Sequence, residues 1–212
     1  MRRSFVHPLI RVAKRSIDVL GASLGLLLTL LLLPFIALAI KLESPGPVLF
    51  RQLRIGRSWP DRVELFSMLK FRSMRSDAEA LSGPVWAQRN DPRITRVGRF
   101  LRKSRLDELP QFINVLRGDM SLIGPRPERP GITRQLEHEI PFFVERTYGV
   151  APGITGLAQV CNGYDESLDD VRTKLSYDLA YSLCLSRPSS WLMMEARIVW
   201  LTLQVMLGGR GR

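Results

Sequence analysis

From residue 19 to residue 40 the chain carries no charged side chain, reading VLGASLGLLLTLLLLPFIALAI. As a helix, a run of about 22 residues reaches roughly 33 Å, enough to cross a hydrocarbon core of about 30 Å. It is longer than the apolar region of a cleaved leader, and no small-residue cleavage site follows it, so a signal peptide is not expected. Basic residues flank it on both sides: Arg11, Lys14 and Arg15 before, then Lys41, Arg51, Arg54 and Arg57 after. The positive-inside rule draws both flanks toward the cytoplasm. One straight span cannot meet that, whereas a helix that enters and returns can. Read from the residues alone, the two topologies stay open. Pro34 is the candidate membrane break, with Ser23 and Thr29 available to bond freed carbonyls. The preceding residues 1–16, MRRSFVHPLIRVAKRS, interleave apolar and basic positions as a segment lying on an anionic membrane surface does.

Beyond the run the pattern changes. Ser44-Pro45-Gly46-Pro47 is a stop, Val48-Leu49-Phe50 reads as a strand, residues 56–61 as a turn, and residues 62–68 as the returning strand. Lys70 and Arg72 follow where strand is expected to give way to helix, and solvated cations are the ordinary reading of such a pair. Residues 75–90 read as a helix and then a loop around Gly83-Pro84. Arg96, Arg99, Arg102 and Lys103 recur at three- and four-residue spacing, placing cations on one helical face. Further helices are expected over residues 132–139, 168–185 and 190–206, with a Pro-Gly turn and a short apolar segment over 150–160. The last helix carries Trp191 and Trp200 and reads equally as interfacial or as core.

Composition narrows the partners. The chain has 212 residues and a formal charge of +11, which calls for an anionic partner: acidic lipid, nucleic acid or a phosphorylated substrate. Length allows a membrane element of residues 1–43 and one further domain of residues 44–212. Cys161 and Cys184 are far apart in sequence and read as free thiols, and His7 and His138 are too few for a zinc site or a His-based triad.

The candidate chemistry lies in residues 102–127, RKSRLDELPQFINVLRGDMSLIGPRP. Pro110 implies a helix starting near Asp107, with Asp107 at the N-cap and Glu108 in the first turn. Caps are common, so that is the ordinary account of both carboxylates. The sharper one is a carboxylate nucleophile or metal ligand beside a second carboxylate, with Arg126 in a Gly-Pro-Arg-Pro turn offering a planar fork to phosphate.

These stretches together resemble the bacterial sugar transferases, the monotopic phosphoglycosyl transferases that initiate polysaccharide and glycan assembly. The resemblance runs through Lys14-Arg15-Ser16-Ile17-Asp18, SPGPVLFRQ (44–52), KFRSM (70–74), the long run of residues 91–127 and PGITGLAQV (152–160). It implies an α+β fold: an N-terminal re-entrant membrane helix, a small β-hairpin and a mainly helical cytosolic domain with interfacial amphipathic helices. It also implies transfer of a sugar-1-phosphate from a UDP-sugar to undecaprenyl phosphate with release of UMP, at the cytoplasmic face of the bacterial inner membrane. In that reading Asp107 is the nucleophile and touches Mg²⁺, Glu108 supports it, and Lys70, Arg102, Pro125 and Arg126 bind phosphate or nucleotide. No nucleic acid is expected as a partner, and a homodimer through exposed apolar helices is. Four positions depart from the family pattern: Leu33 precedes Pro34 where the family's helix break is usually Ser-Pro, and three more follow. Ala151 stands where a basic residue is common and Leu157 where Trp is common. In the last helix Met194 stands where an aspartate would meet Lys14 or Arg15, with Glu195 adjacent. The competing readings are direct transfer in a ternary complex and a non-catalytic basic protein binding acidic lipid or nucleic acid.

Overall fold

The computed structural model describes residues 5–78, 91–162 and 167–208. Its first element, α1 (Pro8–Glu43), is a single helix of 36 residues that joins the basic segment to the apolar run. Pro8 sits at its start, where a missing N–H costs nothing, and the His7 ring accepts from the Leu9 N–H. Pro34 corrects the expected break: the helix runs through it without interruption. Proline denies a donor only to the Leu30 carbonyl, and the hydrogen bonds of the neighbouring turns carry the helix on. Thr29 donates instead to the Gly25 carbonyl at 2.7 Å.

Along its length α1 rests on the remainder of the chain. Ile10 packs with Ile123, Val150 and Tyr181, Ala22 with Phe66, Met68 and Val115, and Ile36 and Ile40 with Phe71 and Leu101. Gly21 and Gly25 lie so close to Leu122 and Phe112 that a Cβ at either would overlap those side chains. The opposite face is bare: Leu20, Leu24, Leu27, Leu31, Phe35, Leu38 and Leu42 are exposed. Only 17% of its most apolar window is buried, far too little for the core helix of a water-soluble fold. α1 is therefore long and apolar enough to cross a membrane.

Polar side chains of α1 lock it in place. Asp18 accepts from the Ser121 hydroxyl and the Leu122 N–H at 2.9 and 2.8 Å. Lys14 meets Glu195 at 2.7 Å, so Glu195 provides the acidic partner that Met194 does not. Arg15 donates to the Val115 and Leu116 carbonyls, both at 2.6 Å.

β1 (Leu49–Trp59) and β2 (Arg62–Phe71) form an antiparallel hairpin, with Trp59 opposite Arg62. The turn is thus Pro60-Asp61 alone, shorter than expected. Gly56 belongs to a bulge, where the register shifts between Ile55 and Ser58. Among the described residues that follow β2, residues 75–78 form a turn, and residues 79–90 of the expected helix and loop lie outside the described residues. Arg72 is buried rather than solvated, donating to the Ser44 carbonyl at 2.7 Å and to those of Ile40 and Pro45, so it ties the end of α1 to the exit of β2.

Next come α2 (Arg96–Lys103), a 3-10 turn (Leu106–Glu108), α3 (Gln111–Arg117) and β3 (Ser121–Ile123). α4 (Pro130–Glu139) leads to a second 3-10 turn, Phe143–Thr147. β4 (Gly153–Thr155) pairs in parallel with β3, a second ladder not foreseen from sequence. α5 (Leu157–Cys161), α6 (Leu168–Cys184) and α7 (Pro188–Leu207) complete the chain. α6 turns Val171, Lys174, Asp178 and Tyr181 inward and leaves Leu179 and Leu183 exposed. α7 buries Trp191, Glu195 and Ile198 and exposes Leu192, Met193, Val199, Trp200 and Leu203. Its outward face is apolar, as on α1.

Asn114 joins α3 to the hairpin. Its side chain is fully buried, accepts from the Leu69 N–H at 2.9 Å and donates to the Ser67 carbonyl at 2.9 Å. Asn114→Ala leaves these backbone groups of β2 without partners, at a cost of about 2–3 kcal/mol. Thermal unfolding of the detergent-solubilised protein should show Tm lower by roughly 5–10 °C. An unchanged Tm would refute the bridge.

Candidate active site

α2 ends where Arg105 adopts a left-handed conformation, φ 59°. A non-glycine residue there is uncommon, and the reversal swings the chain into the 3-10 turn that carries Asp107 and Glu108. This corrects the sequence reading of both residues. Pro110, not Asp107, is the N-cap of α3, and Asp107 lies in the middle of the preceding turn. Neither carboxylate caps a helix, and both are buried. Leu106 and Leu109 on either side pack against a cluster formed by Ile36 and Ile40 of α1 with Phe71 and Leu101.

Glu108 is held from two sides: the Lys70 ammonium of β2 donates to its carboxylate at 3.1 Å and the Arg126 guanidinium at 3.2 Å. Burial alone would raise its carboxyl; Lys70, Arg126 and Arg105 overcome that and hold it well below the usual carboxylate range. Glu108 in turn raises Arg126, and burial depresses Lys70 against the pull of the same carboxylate.

Asp107 differs. Its Oδ1 is buried and has no hydrogen-bond partner. Burial raises its carboxyl above the ordinary value; Lys70, Arg102 and Arg105 pull down, while Glu108 pushes up. An ionised but uncompensated oxygen is what a nucleophile or metal ligand requires.

The Arg126 turn is fixed through its backbone. Arg146 donates to the Arg126 carbonyl at 2.9 Å, Arg54 to the Pro127 carbonyl at 2.9 Å, and the Ile55 N–H to the Glu128 carbonyl at 2.9 Å. Arg146 is itself paired with Asp178 at 2.7 Å, both almost wholly buried. Glu128 takes Lys174 at 2.6 Å; burial would raise its carboxyl, but Lys174 and Arg146 bring it to about 2. A cavity lined by Ile55, Glu128, Thr133, Phe143, Val144, Arg146 and Thr147 lies behind this turn and not at Asp107. Gly124 lets the turn close against β4, since a Cβ there would strike the Ala151 carbonyl.

The structure thus gathers Asp107, Glu108, Lys70 and Arg126. Arg102 lies at their edge, its Nε donating to the Ser73 hydroxyl at 3.0 Å, and so leaves the exposed cationic face of Arg96, Arg99 and Lys103. Pro125 is buried, and its carbonyl accepts from the Gly153 N–H at 2.9 Å, so it shapes the turn and presents no polar side chain. Pro34 is not among the clustered residues, although its neighbours Leu33 and Ile36 pack beneath them.

Sequence reasoning missed Arg54, Arg105, Gln111, Arg146 and Asp178. Burial with Arg126 nearby lowers Arg54 to about 10, which marks it as one of several cations crowded near Glu128 and Glu108. For Gln111 a signal existed: it lies four residues after Asp107. Arg146 and Asp178 are 32 positions apart, and no local pattern links them.

Comparison with known proteins identifies the family. The family profile described as bacterial sugar transferase matches residues 9–209. A UDP-N-acetylgalactosamine-undecaprenyl-phosphate N-acetylgalactosaminephosphotransferase of Aeromonas hydrophila is 46% identical over 204 residues, covering 96% of this chain and 46% of the relative. UDP-glucose:undecaprenyl-phosphate glucose-1-phosphate transferases of Caulobacter vibrioides and Escherichia coli are 47% and 43% identical, covering 82% and 91% of this chain. The chain spans 65% and 39% of their respective lengths, so these relatives are longer proteins. With the family profile matched over nearly its whole length, the chain belongs to the bacterial sugar transferase family.

Proposed function

We propose that this chain transfers a sugar-1-phosphate from a UDP-sugar to undecaprenyl phosphate, through a phosphosugar intermediate on Asp107. The observation that carries the reading is the contrast between the two carboxylates: Glu108 is neutralised by Lys70 and Arg126, while Asp107 keeps a buried oxygen without a partner. The family's relatives are named for transfer of N-acetylgalactosamine phosphate or glucose phosphate, so the donor class is a UDP-hexose or UDP-N-acetylhexosamine.

In the first step an Asp107 oxygen attacks the phosphorus that bears the sugar. A P–O(Asp) bond forms, the bond to the bridging oxygen breaks, and UMP leaves with that electron pair. In the second step an oxygen of undecaprenyl phosphate attacks the same phosphorus and Asp107 departs as carboxylate. Dividing the transfer this way keeps two anionic substrates from having to meet in one encounter. Lys70, Arg126, Arg54 and Arg102 spread positive charge over the diphosphate.

Mg²⁺ belongs to the same proposal. Among the described residues no three His, Cys, Asp or Glu side chains cluster as a protein cage for a metal. Mg²⁺ commonly takes one or two carboxylates together with substrate phosphates and water. The free Asp107 oxygen fits that donor set, so Asp107 and the diphosphate would hold the ion. When bound it supplies charge neutralisation on the phosphates.

The lipid acceptor requires a membrane-facing site. Two observations support a catalytic domain on the cytoplasmic face, with α1 returning to the side it enters by bending at Pro34 while its helical winding continues. Both ends of α1 rest on the same domain, and basic residues flank both ends of its apolar run. Exposed leucines on α6 and apolar side chains on α7 extend the surface that lipid would cover.

Asp107→Asn keeps the shape of the side chain and removes the nucleophile. Incubation with radiolabelled UDP-sugars and Mg²⁺ without lipid, followed by denaturation, should leave label on the wild-type protein and none on this variant. Turnover with added polyprenyl phosphate but no protein-bound label would instead establish direct transfer. The pH dependence of the labelling rate gives a second check. Asp107 acts ionised, so the rate falls as pH drops through its raised pKa. Lys70 lowers that pKa, so Lys70→Met should move the acid limb to higher pH. An acid limb at the wild-type position or lower would exclude the electrostatic coupling.

A further inference from the structure

Gln111 is 2% exposed, and its Nε2 is buried without a hydrogen-bond partner. Nothing in the fold explains that state, because an amide buried this way opposes folding. Its position is informative. Leu109 and Pro110 both have right-handed helical backbone angles, so the 3-10 turn and α3 wind on without reversal. Asp107, Gln111 and Asn114 then stand at i, i+4 and i+7, on one face. Asn114 fixes where that face lies, since it accepts from the Leu69 N–H. The next residue of β2 is Lys70, which bridges to Glu108. The face that runs from Asn114 toward the Lys70 end of β2 therefore carries two unpartnered buried atoms, the acceptor Oδ1 of Asp107 and the donor Nε2 of Gln111.

We propose that Gln111 is a substrate-binding residue whose carboxamide N–H donates to a non-bridging oxygen of the phosphoryl group while that phosphorus is bonded to Asp107. The proposal rests on the transfer reading above. The chemistry is complementary: the cations hold the diphosphate as a whole, while a neutral amide one helical turn from the nucleophile meets the oxygens on which charge develops. A neutral donor adds no ionic hold on departing UMP. It also acts in a site shielded from water, where one oriented donor counts for more than at the surface.

The test compares wild type, Gln111→Met and Gln111→Glu. Methionine nearly keeps the length and burial of glutamine without the donor, and glutamate keeps the shape but replaces the donor with an acceptor. Rapid-quench labelling by UDP-N-acetylgalactosamine and UDP-glucose, each radiolabelled in the β-phosphate, is read beside thermal unfolding. Labelling should slow by about 100-fold in both variants, the scale of a lost oxyanion donor. Tm of Gln111→Met should equal or exceed that of wild type, because an unpartnered amide has been removed. Wild-type labelling rates in Gln111→Met would overturn the proposal. So would slowed labelling with a lowered Tm, which would make Gln111 a packing residue. A wild-type protein that takes no label from either donor would strike the transfer reading itself, whereas label on wild type with unchanged label on Gln111→Met would strike only the role of Gln111.

Discussion

The carboxylate of Glu108, gripped by Lys70 and Arg126, joins three parts of the chain that have no local reason to meet: the end of the hairpin, the 3-10 turn after α2 and the turn after β3. Glu108 and Lys70 are largely removed from water, so each would oppose folding without a partner. The site follows from that grip. Glu108 absorbs the nearest positive charge, and Asp107, one residue earlier on the same turn, is left ionisable and without a hydrogen-bond partner at its Oδ1. Two adjacent carboxylates thereby stand in unequal surroundings, one doubly paired and one without a hydrogen-bond partner at its Oδ1.

Around this grip the fold supplies rigidity in layers. Arg146 pairs with buried Asp178 and through the same Nη2 also holds the Arg126 carbonyl, and Arg54 holds that of Pro127. The guanidinium that reaches Glu108 is thus placed by carbonyl contacts on its own main chain. Beside the 3-10 turn, Leu106 and Leu109 join a hydrophobic cluster of Ile36, Ile40, Phe71 and Leu101. The helix whose outer leucines are exposed thus shares one hydrophobic cluster with the turn that carries Asp107 and Glu108.

Much of the fold was legible from pattern. The apolar run, the two hairpin strands, the basic helix after Thr95 and the last three long helices stand close to where periodicity and turn residues placed them. The misreadings share a cause. Gly56 was read as a turn, but it sits in a bulge set by cross-strand register. Asp107 was read as a cap because proline so often opens a helix; the left-handed Arg105 moved it into a preceding turn. Arg72 was read as solvated, but it is buried against carbonyls at the end of α1, about thirty residues away. In each case a contact remote in sequence overrode a sound local rule.

The sequence by itself determined the apolar helix, the pairing of Asp107 with Glu108, the excess of cations and the Gly-Pro-Arg-Pro turn, because these depend on composition and short spacing. Only the tertiary structure decided which carboxylate is neutralised, which cations reach it, that Pro34 leaves α1 unbroken, and that Gln111 stands unpartnered in the stripe of Asp107. Burial and charge pairing are properties of the folded chain: they depend on which side chains are brought within a few ångströms, and spacing along the sequence does not carry that distance.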